Sequence, residues 1–230
     1  MTNSKDSLEK PLAANSGLPS VSRRRFLSYA GATSGLLLVG AACRKNDDAN
    51  SVDLGSGDTG ILNYAYALEQ LEAAFYTQVL ATPYSSMPAM EAALLADIRD
   101  HEIAHREFFK NALGGNAIPG LEVDFSSVNF NSRDSVLATA KTFEDLGVSA
   151  YNGAGRLLTS ADLLTIAGKI VSVEARHAAY IRDIISNGSF ANNEVIDANG
   201  LDVSRTPSEV IAAANPFIKT SINISNLPTS

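Results

Sequence analysis

Four glutamates and two histidines stand out for their types and their spacing. Glu102 and His105 lie three residues apart in HEIAHRE, and Glu174 and His177 repeat that spacing in VEARH. Two further glutamates, Glu69 in LEQLE and Glu144 in TFEDLG, precede them in the same order. On a helix, residues three apart sit one above the other on a single face, so a carboxylate and an imidazole can reach one centre. Four carboxylates and two imidazoles suit two divalent metal ions. The carboxylates offset the ionic charge and can bridge, while the imidazoles supply neutral nitrogen donors. One Glu-x-x-His alone says little, because such a pair also forms on ordinary helix surfaces. Two of them in a chain with three histidines say more.

These residues need helices to carry them, and the apolar pattern supplies four. The first runs through TGILNYAYALEQLEAAFYTQVLATP, with Asp58 or Thr59 as its cap and Pro83 as its stop. Ile61, Leu62, Ala65, Leu68, Phe75 and Val79 recur there at helical intervals. The second runs through PAMEAALLADIRDHEIAHREFFKNALGG, with Pro88 in the first turn and Gly114 and Gly115 at the exit. The segment 116–131 has no helical period and is long for a helix–helix link. A third helix follows, capped by Ser132 and broken at GAGRLLTS; a fourth starts after Ser160 and ends near Asn187 and Gly188. Short link, long link, short link is the pattern of an all-α, antiparallel four-helix bundle with one long crossover. In the tail, SEVIAAANPF predicts one short helix, capped by Thr206 or Ser208 and ended by Pro216, packed on the bundle.

Depth along the bundle is an independent test. Antiparallel neighbours bring residues level when they lie equally far from the turn between them. The point midway between Glu69 and Glu102 falls at 85–86, inside the first short link, and that between Glu144 and Glu174 falls at 159, inside the second. Both pairs therefore meet near mid-bundle. The two halves also echo each other: Tyr76 follows Glu69 by seven residues, and Tyr151 follows Glu144 by seven. This reads as a repeated helix pair. Either tyrosine can donate to a cluster carboxylate or sit as a core residue with its hydroxyl satisfied elsewhere. Glu72 competes with Glu69 on a similar face, and the repeat favours Glu69. His101, four before His105, has no counterpart on the fourth helix and reads as a supporting or surface group. Asp100, Glu107, Asp145 and Arg176 read as solvated or supporting groups.

With these residues in view, residues 58–188 resemble the ferritin-like superfamily, and more narrowly the bacterial and plant ferritin-like domain family that includes desiccation-related proteins. The segment TPSEVIAAANPF resembles one found after the bundle in that family. The resemblance implies that Glu69 and Glu144 each bind one metal, that Glu102 and Glu174 bridge, and that His105 and His177 each cap one metal. It implies two iron ions, with Fe(II) oxidised by dioxygen or peroxide. The same ligands suit two manganese ions, which disproportionate peroxide in the similar manganese catalases. A metal that serves structure alone, in an envelope stress protein, is the non-enzymatic alternative.

The amino terminus has the layout of an export signal. Arg23, Arg24 and Arg25 precede an apolar stretch that runs to Ala42. SRRRFLS resembles the twin-arginine signal, which implies export of a folded, cofactor-loaded protein to the periplasm or cell envelope. A basic membrane anchor is the rival, although glycines interrupt the run and it is short for a permanent span. Cys43 is the only cysteine, so no intrachain disulfide can form. Standing after Gly-Ala-Ala, it resembles a lipoprotein cleavage site that would attach the chain to a membrane; Gly40 departs from the usual leucine, and simple cleavage near Ala41 or Ala42 is the other reading. Residues 43–57 read as a flexible polar tether.

The net charge is −7, and without residues 1–42 it becomes −10, from 13 basic and 23 acidic residues. Such a chain carries no electrostatic footprint for nucleic acid. Nothing in the tether or tail points to a closed storage shell, and a smaller homo-oligomer is left open.

Overall fold

The computed structural model describes residues 51–229. The expected export signal, Cys43 and the first part of the tether lie outside the described residues. Four long helices dominate: α1 (Gly57–Ala81), α2 (Ala89–Leu113), α3 (Arg133–Gly155) and α4 (Ala161–Ile185). A short α5 (Pro207–Ala214) follows in the extension. The main packing is α1 on α2 and α3 on α4, with α1 also meeting α3 and α5 meeting α3. This is the expected four-helix bundle with one crossover.

Local chemistry explains three of the helix starts. Ser132 caps α3 by accepting from Ser135 N, and Ser160 caps α4 by accepting from Leu163 N. Thr206, not Ser208, caps α5, in a reciprocal box with Glu209. Other ends differ from expectation. α1 begins at Gly57 behind Ser56, so neither Asp58 nor Thr59 caps it. The Asp58 carboxylate instead accepts from Thr159 N (2.7 Å), Thr159 Oγ1 (3.0 Å) and Ser160 N (2.9 Å), tying the start of α1 to the α3–α4 link. Pro88 is the cap residue of α2 rather than part of its first turn. α4 stops at Ile185, and Pro216 sits inside a 3₁₀ turn, Asn215–Phe217, that prolongs α5.

The crossover determines how deeply α1 is buried. Between Gly60 and Tyr76 only Leu62, Gln70 and Ala74 are more than slightly exposed. Asn63 donates to Leu54 O (3.0 Å) and Asn116 O (2.9 Å) and accepts from Ile118 N (3.0 Å). Gln70 accepts from Leu121 N (2.8 Å), and Phe125 and Phe130 pack on Phe75. Asn63 and Gln70 thereby satisfy backbone groups of irregular segments.

Two segments at the chain ends also close on the bundle. Residues 51–57, expected to belong to a flexible tether, are folded. Strand β1 (Val52–Asp53) pairs in parallel with β2 (Ile222–Asn223), and Leu54 is fully buried. The polar composition of the tether hid the two apolar residues that anchor it. The extension approaches α3 at Gly153, where a Cβ would lie 1.7 Å from Arg205 O. Only glycine allows that contact, which lets Arg205 N donate to Ser149 O (3.0 Å). Among the described residues, no helix is long and apolar enough to cross a membrane.

Candidate metal centre

Each long helix delivers its part of the cluster to the interior. Glu69 on α1, Glu102 on α2, Glu144 on α3 and Glu174 on α4 are all buried, the last three to the point of zero or near-zero exposure. His177 is buried, and His105 is slightly more open, with 14 % of its side chain exposed.

The arrangement resolves into two overlapping sets. Glu69, Glu102, His105 and Glu174 bring one donor atom each to within 4.8 Å of one another, and so do Glu102, Glu144, Glu174 and His177. Glu102 and Glu174 belong to both. His105 Nδ1 lies 2.8 Å from Glu174, 3.5 Å from Glu69 and 3.7 Å from Glu102. His177 Nδ1 lies 2.9 Å from Glu102, 3.4 Å from Glu144 and 3.5 Å from Glu174. Each imidazole thus faces its own helix's glutamate, the matching glutamate of the other pair and one lone glutamate.

These contacts are close ion pairs without hydrogen-bond geometry. Both Glu102 oxygens, both Glu174 oxygens, Glu69 Oε2, Glu144 Oε2 and the Nδ1 atoms of His105 and His177 are buried without a hydrogen-bond partner. Buried polar atoms are nearly always satisfied, so eight orphans converging from four helices call for an explanation. Cations bound among them would satisfy all of them, and the donor set of carboxylate oxygen and imidazole nitrogen fits first-row divalent ions. The residues present therefore fit a di-metal site.

Electrostatics point the same way. Burial lifts the carboxyl groups of Glu69, Glu102 and Glu144 above their ordinary range. Burial pushes Glu174 up as well, but His105 and His177 together draw it below that range. For the imidazoles, burial opposes charge, yet the carboxylates override it. Glu102, Glu174 and Glu69 hold His105 protonated to about 12, and Glu102, Glu144 and Glu174 do the same for His177. Four clustered carboxylates demand positive charge, and the two imidazolium groups stand in for it. Since a ligating imidazole must be neutral, incoming metal would displace those protons.

The tyrosines connect the halves crosswise. Tyr76 on α1 donates to Glu144 on α3, and Tyr151 on α3 donates to Glu69 on α1. Each bond orients a lone glutamate from the opposite pair, so the repeat seen in the sequence becomes an exchange in space. His101 also touches the cluster: its Nδ1 lies 2.9 Å from His177 Nε2, one of the two nitrogens donating, and the rings stack 6° from parallel.

Glu69, and not Glu72, falls in the ligand set beside His105. Glu72 is nevertheless buried next to the cluster, and burial, then repulsion from Glu102, Glu174, Glu144 and Glu69, pushes its carboxyl far up. It occupies room left by Gly147, whose Cβ would lie 3.2 Å from Glu72 Oε1. Asp100 and Glu107 pair with their neighbours Arg99 and Arg106 away from the cluster, and Arg176 is exposed. Asp145 is not solvated: it accepts two bonds of 2.8 Å from the buried Arg182, which also holds Asn192 and Glu194 of the extension. The sequence reading did not single out Arg182. A lone arginine near a helix end carries no local sign of burial.

A bundle of four long helices with one crossover, holding two overlapping Glu/His sets at mid-depth, defines a class of helical proteins built around a buried carboxylate site. The ferritin-like domain family matches residues 57–187, and the chain belongs to that family. A search of curated proteins returns no match.

Proposed function

We propose that this chain binds two iron ions, one by Glu69 and His105 and one by Glu144 and His177, with Glu102 and Glu174 shared between them, and that it oxidises Fe(II) to Fe(III). The observation that carries the reading is the double membership of Glu102 and Glu174 in the two donor sets. Carboxylates that can shift between terminal and bridging modes tolerate the change of charge when iron is oxidised. Two Fe(II) ions release two electrons, which with two protons reduce dioxygen to hydrogen peroxide, or one peroxide to two waters. The protein's part is to hold the ligands at fixed spacing, to orient Glu69 and Glu144 through Tyr151 and Tyr76, and to exclude bulk water.

The deciding experiment is elemental analysis of the purified protein after anaerobic metal loading, followed by separate Fe(II)-oxidation and peroxide assays. The expected result is close to two iron ions per chain and consumption of dioxygen or peroxide by Fe(II). Manganese with peroxide disproportionation would redirect the reading to a catalase. Bound metal without turnover would leave a structural site. Absence of any transition metal would defeat it.

The arginine-led apolar stretch at the amino terminus, outside the described residues, supports the reading that this activity belongs to the cell envelope. Intact mass of the exported protein should lack residues 1–42, and palmitate labelling should report on Cys43.

A further inference from the structure

An apolar cavity adjoins Tyr151, which bonds to Glu69 of the cluster. Tyr64, Leu68, Phe109, Ala150, Tyr151 and Ala154 form its inner wall, and half-exposed residues of α4, such as Leu163 and Ile166, form its rim. Every side chain on it is aliphatic or aromatic, the only polar ones being the two tyrosines. The Tyr151 hydroxyl is engaged with Glu69, and the buried Tyr64 hydroxyl has no hydrogen-bond partner. The cavity offers about 30 Å³ for the centre of a water-sized molecule. About 10–15 Å³ suffices for one water, so a diatomic fits. An ordered water needs two to four polar partners, and the wall offers only the Tyr64 hydroxyl unpaired.

The repeat shows why this space is open. Counting from the lone glutamates, Ala150, Ala154 and Gly155 occupy the places that Phe75, Val79 and Leu80 fill in the other half. There Phe75 packs edge-on against Tyr76, Phe125 and Phe143, and no comparable ring stands at Ala150. The Tyr151 ring is therefore a partition, with the cavity on one side and the Glu69 carboxylate at its hydroxyl.

We propose that this cavity is the site at which dioxygen, rather than peroxide, is held beside the metal centre, reaching it past Tyr151. The inference rests on the iron-oxidation reading and names its oxidant. Dioxygen has no hydrogen-bonding group to leave unsatisfied, so an apolar pocket concentrates it relative to water. Hydrogen peroxide brings two hydroxyls, and the wall offers one unpaired hydroxyl to meet them, so its burial is disfavoured.

Xenon is a direct probe. Crystals of the full chain under xenon pressure should show xenon in the cavity, against Leu68, Phe109 and Ala150, and Ala150→Phe, which copies the filled half, should abolish it. Ala167→Leu, at the half-exposed rim, should reduce it, and this variant covers the case in which Ala150→Phe does not fold. Both variants should keep two metal ions per chain. Their Fe(II) oxidation at low dioxygen should slow by about tenfold, while oxidation by added peroxide stays unchanged. No xenon in the wild type, or an unchanged dioxygen dependence in a folded, metal-loaded variant from which xenon is excluded, overturns the proposal and leaves the iron reading intact. Equal slowing with peroxide also overturns it, since the substitution then acts on the centre itself. A loaded wild type that consumes no dioxygen removes the iron-oxidation reading and the cavity's role together, whatever xenon does.

Discussion

Tyr76 and Tyr151 stand in equivalent places, seven residues beyond a lone glutamate, and make equivalent bonds across the bundle. Their surroundings differ. Tyr76 is fully buried beneath an aromatic cluster in which Phe75 meets Phe125 and Phe130 of the crossover, and Phe143 meets Phe217 of the extension. Tyr151 is only half-buried, stacks on Phe109, and borders a cavity. Two other repeat positions break the symmetry as well. Glu72 corresponds to Gly147, and His101 corresponds to Val173. The Glu/His donors are alike in both halves, whereas the packing around them differs. One half is closed by segments from outside the repeat, and the other borders a cavity at Tyr151.

The shared carboxylates are where the two halves cannot be separated, and the largest effect is expected there. Glu102→Ala and Glu174→Ala should each weaken both ions, dropping the metal content below two per chain and removing most Fe(II) oxidation, because each residue serves both donor sets. Glu72→Ala should keep both ions, since Glu72 lies outside both sets. Metal-free Glu102→Ala should lose little stability, as removing a carboxyl that burial and Glu174 disfavour relieves repulsion and desolvation, whereas metal-free Glu174→Ala should lose more, because His105 and His177 favour its charge. Metal content and oxygen consumption of the three variants decide the matter. Full stoichiometry and rate in Glu174→Ala would sink the shared-ligand assignment.

The closed half should show its closure as stability. Phe75 is completely buried and makes four ring contacts, so Phe75→Ala should destabilise the protein by about 3–5 kcal/mol, through lost transfer energy and the cavity left behind. The equivalent truncation in the open half, Ala150→Gly, should cost only about 1 kcal/mol, mainly from helix propensity. Urea unfolding of the metal-free proteins measures both. Equal costs would mean that the aromatic cluster does not distinguish the halves energetically.

How much of this was legible depended on whether the cause was local. The E, ExxH, E, ExxH order could be read because ligands on helices must obey helical spacing, and their common depth because equal distance from a short link is a property of numbering alone. Ser132 and Ser160 announced their helices by the same local logic. Glu72 could not be separated from Glu69 by face or depth, since what assigns it is the vacancy at Gly147 on another helix. The role of Asp58 was misread because its partners, Thr159 and Ser160, are about a hundred residues away. The crossover has no period, yet Phe125 and Phe130 within it close one half of the site. The folding of residues 51–57 depends on a strand at the opposite end of the chain. Each of these is a long-range contact with no periodic trace.

The smallest expected effect tests the subtlest asymmetry. His101 sits against the outer nitrogen of His177, and the corresponding position beside His105 is Val173 on α4. A partner on the outer nitrogen fixes which tautomer an imidazole adopts and raises its basicity as a ligand, and loss of such a partner weakens metal binding by about 10–100-fold. Here His101 is itself exposed, so water can replace part of its function, and the lower end of that range is expected. His101→Val would make the two halves alike at this position. It should weaken one of the two ions by about tenfold while leaving the other unchanged, so that stepwise titration with Co(II), followed by its visible absorption, shows two binding steps drawing closer together or changing order. His101→Gln, which can still bond to His177 Nε2, should recover most of the difference. If both steps are unmoved in His101→Val, the stacked ring is a surface neighbour of the centre and no part of its tuning. If both steps weaken together, the ions are coupled too strongly through Glu102 and Glu174 for the halves to be addressed one at a time.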